Sequence, residues 1–402
     1  MEAKDSPPLG LWMIGARGAI STCVAYGLSG LRQGLLEPVG LTTECSPLNR
    51  MDLAGIDAIV LGGHEIAEAG STAVAGELVR AGVLPAEVVA AGSGDAAAFD
   101  ASIRPGILDL AEVGRADLDP AAASMGGASP RAKVDRLRED IESFRRETGV
   151  GRVVVVYLAS AEPAIEESPH WNDLAAFEKA LDGEGEFPAS SLYAYSALTA
   201  GCPFVNFTPN HGSSIEALRQ LAIERGLPHC GNDGKTGETL LKTALAPMFQ
   251  KRALRVLAWQ GYNMLGNRDG ETLRDPLRRA KKCRNKDAPL HQILGDDRTH
   301  TQVGIDFVPS LHDWKTAMDF VHFEGFLGAK MSLQFTWAGS DSALAAPLVI
   351  DLVRLAEFAA RKGESGEMPQ TACFFKSPLA GGSHDFHEQH RELVKYALKH
   401  AT

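Results

Sequence analysis

The run Arg152-Val-Val-Val-Val-Tyr157 constrains this chain most. Four consecutive β-branched apolar residues cannot alternate between core and solvent, so they predict a strand buried on both faces, which is the situation of a parallel sheet covered by helices. The flanking patterns agree. Leu9 to Ile14 is apolar and runs into Gly15-Ala-Arg-Gly-Ala-Ile-Ser21 and an apolar-periodic helix through Leu28. A second apolar strand, Ala58 to Leu61, ends in Gly62-Gly63-His64-Glu65. Asp135 to Thr148 reads as a charged helix with Leu137, Ile141 and Phe144 on one face, feeding the valine strand. After about residue 245 the pattern changes to strands at Ala253–Gln260, Val303–Val308, Phe320–Leu327 and Met331–Trp337, followed by helices at Leu344–Arg361 and Glu388–His400. The expected architecture is therefore α/β: a doubly wound domain formed by residues 1–243 and 345–402, interrupted by an α+β insertion at 244–344.

The net charge of −11 disfavours a broad nucleic-acid or anionic-membrane surface, which needs many cations on one face. Six scattered cysteines show no CxxC spacing, and no apolar run approaches the roughly 20 residues needed to cross a bilayer. The expectation is a soluble cytoplasmic protein with neither nucleic acid nor membrane as partner.

Against that acidic background, several motifs assemble the chemistry of a phosphorylated small molecule. Gly15-x-x-Gly18-x-x-Ser21 lies between strand and helix, where backbone amides and a helix N-terminus can hold a pyrophosphate; an ordinary strand-turn-helix is the alternative, because Arg17 stands where a second glycine is usual. Gly234-Lys-Thr-Gly-Glu-Thr239 precedes an apolar helix and could grip a phosphate or serve as a plain cap. Asn263, Asn267 and Asp269 fall in a glycine-rich loop. Arg278, Lys282 and Lys286 follow at i, i+4 and i+8, a spacing whose repulsion an anion would relieve, though a solvated basic helix has the same pattern. His384, His387 and His390 span too much helical arc to converge on one ion, so no metal is expected there.

The blocks Gly201-Cys-Pro-Phe-Val-Asn-Phe-Thr-Pro-Asn210, Gly231-Asn-Asp-Gly-Lys-Thr-Gly237, Tyr262-Asn-Met-Leu-Gly-Asn-Arg-Asp-Gly270, Asp341 to Asp351 and Phe375-Lys-Ser-Pro378 resemble the myo-inositol-1-phosphate synthase family in order and spacing along nearly the whole chain. The resemblance implies a Rossmann-type NAD-binding domain, with the insertion serving catalysis and tetramerisation. It implies a redox-neutral isomerisation of glucose 6-phosphate: NAD oxidises C5, C6 is enolised and closes onto C1, and the C5 ketone is reduced again.

By the same resemblance, Lys282 transfers a proton at the C5 oxygen, and Lys286 and Lys376 stabilise enolate, aldehyde oxygen and phosphate, with Asp233 and Asp269 completing the catalytic set. Cofactor contacts are expected from Gly15, Ala16, Arg17, Gly18, Ala19, Ile20, Ser21, His64, Glu65, Ala159, Ser160, Ser196, Asp233, Lys235, Asp341 and Ser342, with Glu65 as the ribose ligand. Thr236, Gly237, Thr239, Asn267 and Arg278 join Lys282, Lys286 and Lys376 around the substrate.

The chain departs from the family where another active-site lysine is expected in the strand before Pro309: Asp306 stands there, so either the role passes to Arg278 or Lys315 or the substrate differs somewhat. No arginine is expected beside the Glu65 turn, which favours NAD over NADP. A net dehydrogenase of another phosphorylated sugar or semialdehyde, and a sugar-phosphate sensor without catalysis, are the competing readings.

Overall fold

The computed structural model describes residues 8–108, 117–163, 165–183, 185–267, 270 and 290–401. The valine run forms β4 of a seven-stranded, fully parallel sheet, and Val153 to Val156 are completely buried. Its strands are β1 (Leu9–Ile14), β2 (Ile59–Glu65), β3 (Ile103–Pro105), β4 (Arg152–Tyr157), β5 (Phe204–Asn206), β6 (Pro228–Cys230) and β11 (Gly366–Glu367), in the spatial order β11-β6-β5-β4-β1-β2-β3. In register, Trp12 pairs with Val155 on one side and Gly62 on the other. The order reverses between β1 and β4, the topological switch point where open α/β sheets bind ligands.

Helices cover both faces, because strands buried twice need two apolar layers. α1 (Ala19–Arg32) packs Val24 and Leu28 on one face against the strand residues Leu11 and Val154. On the other, α2 (Pro130–Thr148) presents Val134, Leu137, Ile141 and Phe144 to Trp12, Val153 and Val155. α2 starts at a Ser129 cap followed by Pro130 and stops at Gly149, whose φ of 69° closes the helix in the left-handed region. The helix Ala189–Thr199, α3, lies in the same layer.

α4 (Gly237–Lys251) leads into a four-stranded sheet ordered β10-β9-β7-β8, made of β7 (Arg255–Leu265), β8 (His300–Phe307), β9 (Trp314–Glu324) and β10 (Lys330–Ser340). β7 and β8 are parallel and the remaining pairs antiparallel. α5 (Asp341–Arg361) then returns to the first domain and packs on α1, and α6 (Phe386–His400) ends the described chain.

Two sequence expectations need correction. The strand expected at Phe320–Leu327 begins six residues earlier, at Trp314, and Phe326–Gly328 is the exposed turn after it. Gly261, Tyr262 and Asn263 belong to β7 rather than to a loop. The glycine is required there, since a Cβ on Gly261 would come within 2.3 Å of the Glu238 carboxylate packed beneath the sheet.

Candidate active site

The glycine turn after β1 is built by β2. His64 accepts hydrogen bonds at its carbonyl from the Gly15 and Ala16 amides, while the Gly18 amide and the Ser21 hydroxyl donate to the Gly15 carbonyl. Gly15 has φ 85°, and a Cβ there would lie 3.1 Å from the Ala159 amide nitrogen, so only glycine lets the ends of β1 and β4 approach. α1 opens on Gly18 without a side-chain cap, which leaves the first-turn amides of Ala19, Ile20 and Ser21 available to an anion. Gly15, Glu65, Ala159, Ser160, Tyr157 and Tyr193 line one concavity at this switch point. This cradle fits a dinucleotide pyrophosphate.

Glu65 accepts from the Arg17 amide at 2.8 Å and from the Ile66 and Ala67 amides at 2.8 and 3.0 Å. Contrary to the sequence expectation, an arginine does lie beside this turn: Arg17 Nη1 donates to the Ala67 carbonyl at 2.9 Å, with its Nε 3.6 Å from Asp100. The Asp100 carboxylate thus accompanies the guanidinium, while Glu65 is held by backbone amides at the same turn.

His64 needs a different role from the one expected. Trp12 Nε1 donates to its Nδ1 at 2.9 Å, so the proton sits on Nε2, which donates to Asp140 at 3.0 Å. Burial, only partly opposed by Asp140, pushes its pKa down and keeps the ring neutral. The imidazole is committed to the interior, and His64 serves the glycine turn through its carbonyl. Ser196 also stays away from the cleft: its hydroxyl donates to the Leu192 and Val134 carbonyls inside the α2–α3 layer.

The second half of the site forms where three loops are zipped together by backbone bonds. Asn232 and Ser377 exchange amide hydrogen bonds, the Lys376 amide donates to the Asp233 carbonyl, and the Gly234 and Lys235 amides donate to Phe207 and Phe374. Asn206, fully buried, ties these loops together by donating to the Asn210 carbonyl and the Asn232 side chain while accepting from Thr208. A Cβ on Gly234 would lie 2.1 Å from the Phe207 ring. The result is that Lys376 Nζ donates to Asp233 at 2.8 Å, and the pair is mostly buried.

A second lysine–aspartate pair adjoins the next turn. Lys315, projecting from the buried face of β9, donates to Asp341 at 2.8 Å, and Thr236 donates to the same carboxylate oxygen at 3.0 Å. Gly237 (φ 58°) passes so close that a Cβ would stand 3.1 Å from Lys315 Cε. Thr239, buried on the first turn of α4, has no hydrogen-bond partner for its hydroxyl among the described residues. The Thr239 hydroxyl and the helix-N-terminal amides of this turn therefore have the chemistry that suits a phosphate. Ser342, expected at the cofactor, instead donates its hydroxyl to Asp313, which together with Ser340 fastens the start of α5.

Lys235 also departs from expectation. Its ammonium turns away from the cleft to donate to Gln389 of α6 and lies 5.8 Å from the Phe386 ring centre. Burial, with a contribution from Lys376, lowers its pKa to about 8. The charged form is penalised by folding, so the unfolded chain binds the extra proton between about pH 8 and the ordinary lysine value of 10.5, and stability rises with pH across that window. The urea midpoint of the wild-type protein is expected to climb through this range relative to Lys235→Met; parallel pH profiles for the two proteins would contradict the assignment.

Asp306 lies on the other side of the sheet. It is exposed and accepts a hydrogen bond from Tyr262, whereas its strand neighbour Ile305 is buried. The lysine that a strand brings to the Thr236–Gly237 turn is Lys315, which the sequence reading offered as one substitute. Asn267 accepts from the Gly270 amide at 3.1 Å. Asp269, Arg278, Lys282 and Lys286 fall outside the described residues.

Strand order and glycine cradle are those of the doubly wound dinucleotide-binding enzymes, extended here by a second sheet that brings a lysine to the cleft. The family model described as myo-inositol-1-phosphate synthase, named for NAD binding, matches residues 9–397, and the chain belongs to that family. It is 32% identical to inositol-3-phosphate synthase 1 of Bacteroides thetaiotaomicron over 406 residues, covering 95% of this chain and 91% of that protein. The match to inositol-3-phosphate synthase of Saccharomyces cerevisiae is 30% identical and covers 59% of this chain, spanning about half (47%) of the yeast protein. Among solved structures, inositol-3-phosphate synthase of Caenorhabditis elegans shares the fold with a TM-score of 0.86 at 20% identity, over 99% of this chain and 86% of that one.

Proposed function

We propose that this protein is an inositol-3-phosphate synthase that converts D-glucose 6-phosphate to 1L-myo-inositol 1-phosphate, with NAD recycled within each turnover. The observation that carries the proposal is the meeting of two lysine–carboxylate pairs, Lys376–Asp233 and Lys315–Asp341, on either side of the Thr236–Gly237 turn. A simple dehydrogenase needs one proton-transfer group at one alcohol. An aldol cyclisation develops charge on two oxygens while a phosphate must be held, and several fixed ammonium donors suit that demand.

Gly15, the first turn of α1, Glu65, Ala159 and Ser160 would hold the dinucleotide, which when bound supplies reversible hydride exchange at C5. Glu65, held by the Arg17, Ile66 and Ala67 amides, offers a carboxylate to the ribose hydroxyls, and Asp100 and the Ala67 carbonyl engage the Arg17 guanidinium that would otherwise attract a 2′-phosphate, which favours NAD over NADP. Lys376, oriented by Asp233, is a charged donor for an oxygen that becomes anionic as C6 is enolised. Lys315, oriented by Asp341, does the same at the aldehyde oxygen during ring closure. Thr236, Gly237 and Thr239 receive the phosphate. Lys282 is assigned to proton transfer at the C5 oxygen and Lys286, Arg278, Asn267 and Asp269 to the surrounding cavity, by resemblance to the family.

We divide the chain into 1–243 with 345–402 and an insertion at 244–344, a reading supported by the presence of two separate sheets. We place assembly as a homotetramer on the insertion, where Tyr262, Met318 and Phe320 leave apolar surface exposed. A cytoplasmic location completes the proposal; no helix among the described residues is long and apolar enough to cross a membrane.

Incubation with glucose 6-phosphate and NAD is expected to yield inositol phosphate, followed by phosphorus NMR, with no accumulation of NADH absorbance. NADH without a cyclised product would point to the dehydrogenase reading.

A further inference from the structure

The face of the second sheet that meets α4 holds ions where a sheet core is ordinarily apolar. Lys242 and Glu238 of α4 and Asp319 of β9 have side chains no more than 1% exposed. Lys242 Nζ lies 2.7 Å from Glu238 and 3.9 Å from Asp319, and Trp259 Nε1 donates to Asp319 at 2.8 Å. Phe249, Trp259 and Val321 belong to the buried apolar cluster of the same helix and sheet, and Gly261 gives the ions room, since a Cβ would also stand 3.0 Å from Lys242 Nζ.

A buried ion cluster is weak evidence for stability, because well-packed apolar residues of similar volume generally serve as well or better. What hydrocarbon cannot supply is directional distance. Glu238 follows the Thr236–Gly237 turn immediately in sequence, and Asp319 lies four residues beyond Lys315 on the same face of β9. The two ends of the active site that come from different elements are therefore joined, one step behind the cleft, through Lys242.

We propose that Glu238, Lys242 and Asp319 are positioning residues that set the placement of Lys315 against the phosphate turn. The inference deepens the synthase reading, in that the distance they set is the one over which substrate phosphate and reacting oxygen must both be met. Displacement of about 1 Å in such an arrangement can lower turnover by about 10²-fold.

The test is the full chain carrying Glu238→Leu, Lys242→Met and Asp319→Leu together, an apolar replacement expected to keep the wild-type melting temperature. Two quantities are read: kcat and KM for glucose 6-phosphate, and the rate of Lys315 amine acetylation followed by peptide mass spectrometry without cofactor or substrate. The expected result is a fall in kcat larger than any rise in KM, with faster Lys315 labelling as its contact with Asp341 loosens. Labelling at the wild-type rate in a folded variant overturns the positioning role whatever the kinetics show. Absence of turnover in the wild type would sink the synthase reading alone, since labelling does not depend on it. Should the triple variant fail to fold, Trp259→Phe, which removes only the hydrogen bond to Asp319, is read by the same labelling and the same criterion.

Discussion

Lys315→Met is expected to lower kcat by about 10²- to 10³-fold, the loss typical of removing one preorganised donor from a developing oxyanion. Methionine keeps most of the stem's volume, so packing under β9 is retained, while Asp341 loses its ammonium partner and keeps the Thr236 hydroxyl. NAD binding should be little changed, because the glycine cradle and Glu65 belong to other elements. Asp306→Ala is the matched control. Its side chain meets Tyr262 on the opposite face of the sheet, so turnover should stay close to wild type. Steady-state kinetics on the two variants decides the matter: a Lys315→Met protein with wild-type kcat would remove the residue from the mechanism.

Gly63→Ala is expected to be the most destabilising single methyl addition around the cofactor cleft. A Cβ at this position would lie 2.1 Å from the Met13 carbonyl oxygen and 2.8 Å from the Ala16 methyl. The obstacle is backbone of the neighbouring parallel strand, which cannot rotate aside, so β1 and β2 would have to separate. Overpacking of this kind costs about 3 kcal/mol or more. Because the His64 carbonyl next in sequence holds the Gly15 and Ala16 amides, the same separation should weaken NAD binding. Urea unfolding and calorimetric titration with NAD measure the two effects, and an unchanged urea midpoint would show that the strands yield more easily than the geometry indicates.

The doubly wound sheet was legible in the sequence because its signals are local: four valines in a row, a glycine turn between strand and helix, and a charged helix with one apolar face. The second sheet was legible only as a change of pattern. Strand identity there depends on which face meets α4, and the decisive residue, Lys315, sits in an alternating stretch whose start at Trp314 carries no turn signal of its own. Asp306 drew attention by its position before Pro309, yet the pleat sends it outward, since adjacent residues on a strand occupy opposite faces. Lys235 illustrates the same limit within a motif. It is flanked by Asp233 and Thr236, both at the site, but its ammonium is claimed by Gln389, 154 positions later in the chain. Such pairings over long sequence separation leave no local trace. His64 was correctly placed at the end of β2, and only the packing of Trp12 and Asp140 around it reveals that its carbonyl, rather than its ring, faces the glycine turn's needs.

The return of α5 to the first domain has a consequence for how the protein is made. α1 emerges early from the ribosome, but the helix that packs on it, α5, comes after the entire second sheet, and the Thr43 amide meets its acceptor Asp351 only 308 positions later. During synthesis the part of α1 that α5 covers must wait while roughly three quarters of the chain is translated, at a pace on the order of ten residues per second. The nascent protein therefore spends tens of seconds with that face of its first domain unclosed, an interval in which exposed apolar surface invites aggregation.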